Sequence, residues 1–357
     1  MIYDARVSPT PLLAPHTLRA LAARYRTGTP LSCAPVTYGL LNRGYRVAAT
    51  GGTFFLKHHL DADPADPAPL ERRHRAIASL EAAGLPAVPP VAARDGRTVS
   101  VVGGRCFALH PWVEGRHLDG LALTEAQSRR LGALLGTVHT RLQQVLPAQR
   151  EAAAPGAGSA SADPDATHAL IDGLLTRIHR RGRRRDGFDE LAEYRLRERR
   201  RLLHRYADAR PAAVPAAGWV HGDFHPLNLI YGVARPRRHR RGGEPLAIVD
   251  WDRLAVQPRA EEAVRGAAIF FLRPDGSLDL RKVRAYARAY RHASTAPPAE
   301  LSAAVHRVWW ERLNDFWMLC WRYERHDSRP DPQFAAASAL VVWWTRRYAA
   351  VHAAFCD

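Results

Sequence analysis

Two stretches of the 357-residue chain carry side chains whose types and spacing could do chemistry together: His221-Gly222-Asp223-Phe224-His225-Pro226-Leu227-Asn228 and Ala247-Ile248-Val249-Asp250-Trp251-Asp252. Moving a phosphoryl group from ATP to an alcohol needs a carboxylate to receive the hydroxyl proton. It also needs an amide oxygen and a second carboxylate to hold Mg²⁺ on the phosphates. Asp223, Asn228 and Asp250 supply those groups in that order. Magnesium takes hard oxygen ligands and leaves most of its shell to phosphate and water, so one amide and one carboxylate suffice. Asp223 need not be a strong base, because in a loose transition state the hydroxyl loses its proton late and placement outweighs pKa. An isolated Asp-x-x-x-x-Asn can equally be a turn whose side chains cap backbone N–H groups. The second Asp, directly after an apolar strand, favours the catalytic reading.

The elements that must position these groups are visible on either side of them. Val36 to Lys57 predicts two antiparallel strands joined at Thr50-Gly51-Gly52. Pro69, then Leu70, Ile77 and Leu80 at helical spacing, then Gly84 and Pro86, mark a helix with Glu71 in its first turn. Thr98 to Val102 and Arg105 to Leu109 predict two more strands, and His110 to Gly115 a connector. Beyond it, Gln127 to Leu142 and Glu190 to Tyr206 predict helices, and Ala152 to Ala166, rich in Ala, Gly, Ser and Pro, a flexible insertion. Short strands at Trp219-Val220, Leu229 to Tyr231 and Ala247 to Val249 frame the catalytic segment, and everything after Glu261 predicts helix.

The chain is long enough for two lobes, with a boundary expected near residue 110: an N-terminal lobe over 1–110 and a helical C-terminal lobe over 111–357. No apolar run is long enough for a bilayer span or a signal peptide, which predicts a cytoplasmic protein. Cys33, Cys106, Cys320 and Cys356 lack metal-site spacing and predict reduced thiols without a structural metal. A net charge of +17 raises nucleic-acid binding as a function class. Only Lys57 and Lys282 are lysines among 52 cationic residues, however, which points to codon bias towards Arg rather than to a selected polyanion surface. In so Arg-rich a chain, a retained Lys57 implies a need for a compact ammonium rather than a planar fork.

The order and spacing of Asp223, Asn228 and Asp250 match the protein-kinase signature. From about Val36 to about Phe270 the chain resembles the aminoglycoside phosphotransferase family, protein-kinase-like small-molecule kinases that include homoserine, choline and methylthioribose kinases. The most specific match is His221 to Asn228, which is similar to the family's H-G-D-x-x-x-x-N loop, together with Asp250. The resemblance implies an α+β, two-lobed fold, with a small antiparallel-sheet N-lobe and a mostly helical C-lobe. It makes Asp223 the catalytic base or hydroxyl-orienting residue and Asn228 and Asp250 the Mg²⁺ ligands. Lys57 becomes the phosphate-binding lysine with Glu71 as its partner, and Leu109 to Val113 the source of backbone groups for adenine, less the donor removed at Pro111.

The chain also departs from the family pattern. Gly39 to Gly44 is not G-x-G-x-x-G and could be a plain turn. Glu261 stands where an Asp usually braces the catalytic loop, and Asp252 where protein kinases have Gly. His221 suits a structural role in the loop, while His225 and Asp252 keep open readings as catalytic or merely structural groups. The implied acceptor is a hydroxyl on an aminoglycoside-like antibiotic, an aminosugar or an amino alcohol. Glu311, Asp315, Glu324 and Asp327 among Trp310, Trp317 and Trp321 could grip it, although tryptophans at this spacing are more often core. Two rival classes are a basic nucleic-acid binder using Arg177 to Arg185 and Arg235 to Arg241, and an ATP-binding pseudokinase scaffold.

Overall fold

In a computed structural model the described residues are 12–36, 41–146, 161–212, 218–232 and 245–357. They divide into two compact units, one of Met1–Leu118 with Leu227–Leu254, the other of Asp119–Pro226 with Ala255–Asp357. Among them no helix is long and apolar enough to cross a membrane.

The first unit is built on a five-stranded antiparallel sheet: β1 (Pro30–Val36), β2 (Arg43–Ala49), β3 (Gly52–His59), β4 (Ser100–Val102) and β5 (Arg105–Pro111), in the order β1-β2-β3-β5-β4. Ala49 pairs with Gly52, so the β2–β3 hairpin closes through Thr50 and Gly51, where the sequence places it. Alternation divides the sheet. Tyr45, Val47, Leu56, Phe107 and Leu109 form one buried face, covered by Leu21 and Tyr25 at the end of α1 (Pro15–Arg24). Lys57, between Leu56 and His58, points to the other. Neither α1 nor β1 is evident in the sequence, because β1 carries two prolines and lacks buried–exposed alternation. Helix α2 (Ala68–Ala82) runs as its apolar spacing predicts.

A hairpin of β7 (Leu229–Tyr231) and β8 (Pro245–Ile248) also belongs to this unit. Arg116 and Tyr231 exchange backbone hydrogen bonds of 2.9 and 2.8 Å, and the Ile248 N–H donates to the Pro86 carbonyl at 2.7 Å. A side chain at Gly115 would start 2.5 Å from the Tyr231 carbonyl oxygen, so this crossing needs glycine. These bonds carry the N-terminal unit past the boundary expected at 110, to Leu118, and take in a hairpin expected on the other side.

The second unit is helical, with α3 (Glu125–Val145), α4 (Pro164–Arg180), α5 (Gly187–Arg205), α6 (Arg259–Phe270), α7 (Leu280–Ser294), α8 (Pro298–Asn314), α9 (Trp317–Glu324), α10 (Asp331–Arg346) and α11 (Tyr348–Cys356). A small ladder joins β6 (Gly218–Val220) to β9 (Ala255–Gln257). Helix α3 opens with a Thr124–Gln127 capping box. It lies so close to α7 that a Cβ at Gly132 would meet the Tyr286 carbonyl oxygen at 2.1 Å and one at Gly136 the Tyr290 oxygen at 2.8 Å. Of the expected insertion over 152–166, residues 152–160 lie outside the described residues. Pro164 to Ala166 already form the first turn of α4, where proline's fixed φ suits helix position N1.

Three histidines of the sheet unit are neutral at pH 7. Burial, helped by neighbouring cationic and histidine groups, pulls His58 down to about 4, His74 to about 3 and His110 to about 4. The unfolded chain, with histidines near 6.5, therefore binds more protons between pH 4 and 6.5. Stability from these groups is complete above about 6.5 and falls as pH drops towards 4. We expect urea unfolding of the sheet unit to take up about two to three extra protons near pH 5. An unfolding free energy independent of pH between 7 and 5 would contradict this burial.

Candidate active site

Lys57 is the most constrained cation of the sheet unit, its side chain only 8% exposed. Its Nζ lies 2.6 Å from Asp250 Oδ1 and 2.8 Å from Asp252 Oδ2. Burial acts to lower its pKa, but the two carboxylates outweigh burial and hold the ammonium above its ordinary value. Asp252 is shifted the other way. Burial would raise it, but His59 and Lys57 overcome that and hold it well below the usual carboxylate range.

The hairpin sets the position of both carboxylates. Leu229 pairs with Ile248, and the Val249 N–H donates to the Asn228 carbonyl at 2.9 Å, so Asn228 and Asp250 flank the same end of the β7–β8 ladder. Trp251 is buried and its Nε1–H donates to the Ile248 carbonyl at 3.0 Å, which pins the turn. Asp250 has φ 61°, in the left-handed region that a non-glycine residue enters at a cost of about 1–2 kcal/mol. Asn228 is buried and Asp250 is partly exposed. They offer an amide oxygen and a carboxylate, hard donors that suit Mg²⁺ and not a thiolate- or imidazole-seeking metal.

The catalytic-loop candidate Asp223 belongs to the helical unit, and five residues of chain lead from it to Asn228 through a single turn of 3₁₀-helix at Pro226–Asn228. A carboxylate absent from the sequence reading holds this loop. Glu262, on α6 and 3% exposed, accepts the backbone N–H of His221 at 3.1 Å on Oε2 and that of Gly222 at 2.5 Å on Oε1. His139 Nε2 lies 2.8 Å from Glu262 Oε2, and its Nδ1 lies 3.0 Å from Tyr290 Oη. Burial would raise the Glu262 pKa, but His139 and the loop amides outweigh it and keep the carboxylate ionised. Gly222, at φ 84°, turns its N–H inward in a conformation other residues avoid. The Asp223 N–H donates to His221 Nδ1 at 3.2 Å, and His225 Nε2 lies 3.5 Å from Asp223 Oδ2.

Glu261, which stands where the family places a loop-bracing Asp, takes Arg307 Nε at 2.5 Å and Arg265 at 3.5 Å. Glu71, the expected partner of Lys57, instead accepts Arg97 Nε at 3.1 Å. The Leu109 side chain is buried in the sheet core and its carbonyl accepts the Val91 N–H at 2.6 Å. The Trp112 N–H donates to the Thr53 carbonyl at 3.1 Å, whereas Val113 lies just past β5. Gly39 and Leu40 lie outside the described residues, while Arg43 and Gly44 already form β2.

The carboxylates expected to grip an acceptor are largely matched by arginine: Glu311 with Arg265 at 2.7 Å, Glu324 with Arg177 at 3.6 Å and Asp327 with Arg329 at 2.6 Å. Trp310 is core, and Arg325 and Arg329 stack over Trp321. Within the run 177–185, Arg181 pairs with Asp189 at 2.8 Å and Arg185 with Glu193, so much of its charge is already matched. Arg235 to Arg241 lie outside the described residues.

Residues 32–296 match the model of the Phosphotransferase enzyme family, APH. A homoserine kinase of Acidiphilium cryptum is 25% identical over 286 residues, 80% of this chain and 79% of its own. A solved spectinomycin phosphotransferase in complex with ADP and spectinomycin is similar at TM-score 0.63 and 13% identity, covering 94% of this chain and 99% of that one. A microcompartment-associated aminopropanol kinase follows at 0.59 and 18%, covering 95% and 98%. An aminoglycoside phosphotransferase from Alicyclobacillus acidocaldarius stands at 0.57 and 14%, covering 96% of each chain. These structural likenesses carry the fold: a kinase-like chain with an antiparallel sheet towards the N-terminus and helices beyond.

Removing one partner from a buried, hydrogen-bonded charge leaves the others unmatched at a cost of about 3–5 kcal/mol. Glu262→Ala should lower the urea stability of the helical unit by that amount and speed amide exchange at Gly222. Wild-type exchange at Gly222 in this variant would refute the brace.

Proposed function

Because the chain belongs to the Phosphotransferase enzyme family, we propose that it transfers the γ-phosphate of ATP, with Mg²⁺, to a hydroxyl of a small amino alcohol or hydroxy amino acid. The observation that carries this reading is the pairing of Lys57 with Asp250 and Asp252 at the end of the hairpin that also holds Asn228.

In this reading Asp223 accepts the hydroxyl hydrogen bond and then the proton. The acceptor oxygen forms its bond to the γ-phosphorus as the bond from that phosphorus to the bridging oxygen breaks, and the electron pair leaves on ADP. Glu262 fixes the loop backbone, so Asp223 is aimed before substrate arrives. His225, 3.5 Å from the carboxylate, limits its rotation. Lys57 presents its charge to the α and β phosphates. Asn228 and Asp250 would hold Mg²⁺, which supplies charge neutralisation on the phosphate oxygens. The connector from Leu109 to Val113 would supply the backbone groups for adenine; Pro111 lacks a donor, the Leu109 carbonyl and the Trp112 N–H already have partners, and Val113 lies just past β5.

The charge pattern favours a small acceptor over a polycationic antibiotic. Three of the four carboxylates near the tryptophans already hold arginines, and a chain of net charge +17 repels a polyamine. The homoserine kinase relative fits the same preference.

ADP release over a panel of homoserine, choline, aminopropanol, spectinomycin and kanamycin tests this. An amino alcohol or hydroxy amino acid should give the highest kcat/KM. Asp223→Asn should lower kcat by about 10²- to 10⁴-fold with little change in the KM for ATP. Turnover of the Asp223→Asn protein at the wild-type rate would overturn the assignment of the base, and a clear preference for kanamycin would overturn the acceptor class.

A further inference from the structure

We propose that Asp252 is the residue that positions Lys57, in place of a glutamate on α2, and that it is not a metal ligand. The inference rests on Lys57 being the cation that meets the nucleotide phosphates. Two donors converge on one oxygen, Asp252 Oδ2, namely Lys57 Nζ at 2.8 Å and Asn42 Nδ2 at 2.6 Å, and His59 Nδ1 lies 3.6 Å from it. Asn42 is itself fixed, because its Oδ1 accepts the Leu60 N–H at 3.1 Å just past β3. Asp252 thus ties together the turn before β2, the end of β3 and the turn after β8.

Helix α2 offers nothing equivalent. Of its two acids, Glu71 is held by Arg97 and Glu81 is exposed in the last turn, and the α2 side chain that faces His59 and His110 is His74, with ring centroids 6.2 and 6.1 Å away. A neutral imidazole does not anchor an ammonium as a carboxylate does. The two aspartates therefore have separable tasks. Lys57 has three N–H donors, of which Asp250 and Asp252 take two, leaving one for a phosphate oxygen. If Asp250 turns to serve a cation, Asp252 still holds the lysine. An ion at Asp252 Oδ2 would instead have to displace Lys57 and Asn42.

Binding of ADP in EDTA separates the two roles, because a lysine-positioning residue matters without metal and a metal ligand does not. Asp252→Asn should weaken metal-free ADP binding about tenfold, equivalent to about 1.4 kcal/mol. Asp252→Glu should recover part of it. Lys57→Met should match the loss, and the double variant should add nothing to it. Wild-type or tighter metal-free affinity in Asp252→Asn, with a raised Mg²⁺ requirement in turnover, would overturn the proposal and make Asp252 a ligand. A second readout needs no nucleotide. With only two lysines in the chain, reaction with an amine-selective reagent can be followed at Lys57 against Lys282 by mass spectrometry. Asp252→Asn should raise the Lys57:Lys282 ratio several-fold, and an unchanged ratio would overturn the positioning role. Failure of wild-type protein to bind ADP would count against the phosphotransferase reading, while the labelling ratio would still decide the role of Asp252.

Discussion

A buried charge must be matched, and the structure turns on one such charge in each unit. In the sheet unit it is Lys57, fixed on β3 by its strand neighbours and cut off from water by its surroundings. Strand alternation sends Leu56 into the core and Lys57 to the opposite face, where an unmatched ammonium would lose its proton or unfold the sheet. The β7–β8 hairpin answers that demand by delivering two carboxylates on one turn. Its docking through Pro86, Arg116 and Tyr231 is therefore as much a condition of the lysine's charge as a feature of the fold. The left-handed backbone at Asp250 belongs to the same account, since the turn trades local strain for an acid aimed at the lysine.

The helical unit solves the converse problem with Glu262. A carboxylate at full burial is tolerable when its lone pairs meet donors, and here the donors are His139 and the peptide N–H groups of His221 and Gly222. The glycines of α3 let α7 approach closely enough for Tyr290 to reach His139. The loop's conformation is thus set by helix packing, and the position of Asp223 follows from it rather than from contacts of its own side chain alone.

The order of strands and helices, the hairpin at Thr50-Gly51 and the placing of Asn228 and Asp250 at the two chain ends of one short hairpin were legible because each rests on local pattern: alternation, helical spacing, turn residues and motif spacing. Partnerships across the chain were not. Glu71 has the sequence position of a lysine partner, yet Arg97, 26 residues away, claims it. Glu261 and Glu262 are indistinguishable in composition, and only the direction each takes from α6 separates the brace from an arginine pair. Asn42 carries no signal beyond being a turn residue, although its amide donates to Asp252. The edge strand β1 left no alternation to find.

Arg bias in composition has a physical consequence as well as a genetic one. Where a long guanidinium suffices, arginine occupies the position and captures the nearest carboxylate, as it does at Glu71, Glu261, Glu311, Glu324 and Asp327. Glu71 is unavailable to Lys57 for this reason, and the aspartate after Trp251 stands in its place. The same competition thins the negative charge around the tryptophans. The thinned negative charge around the tryptophans and the anchoring of Lys57 by the hairpin thus follow from one cause, the surplus of guanidinium groups over carboxylates.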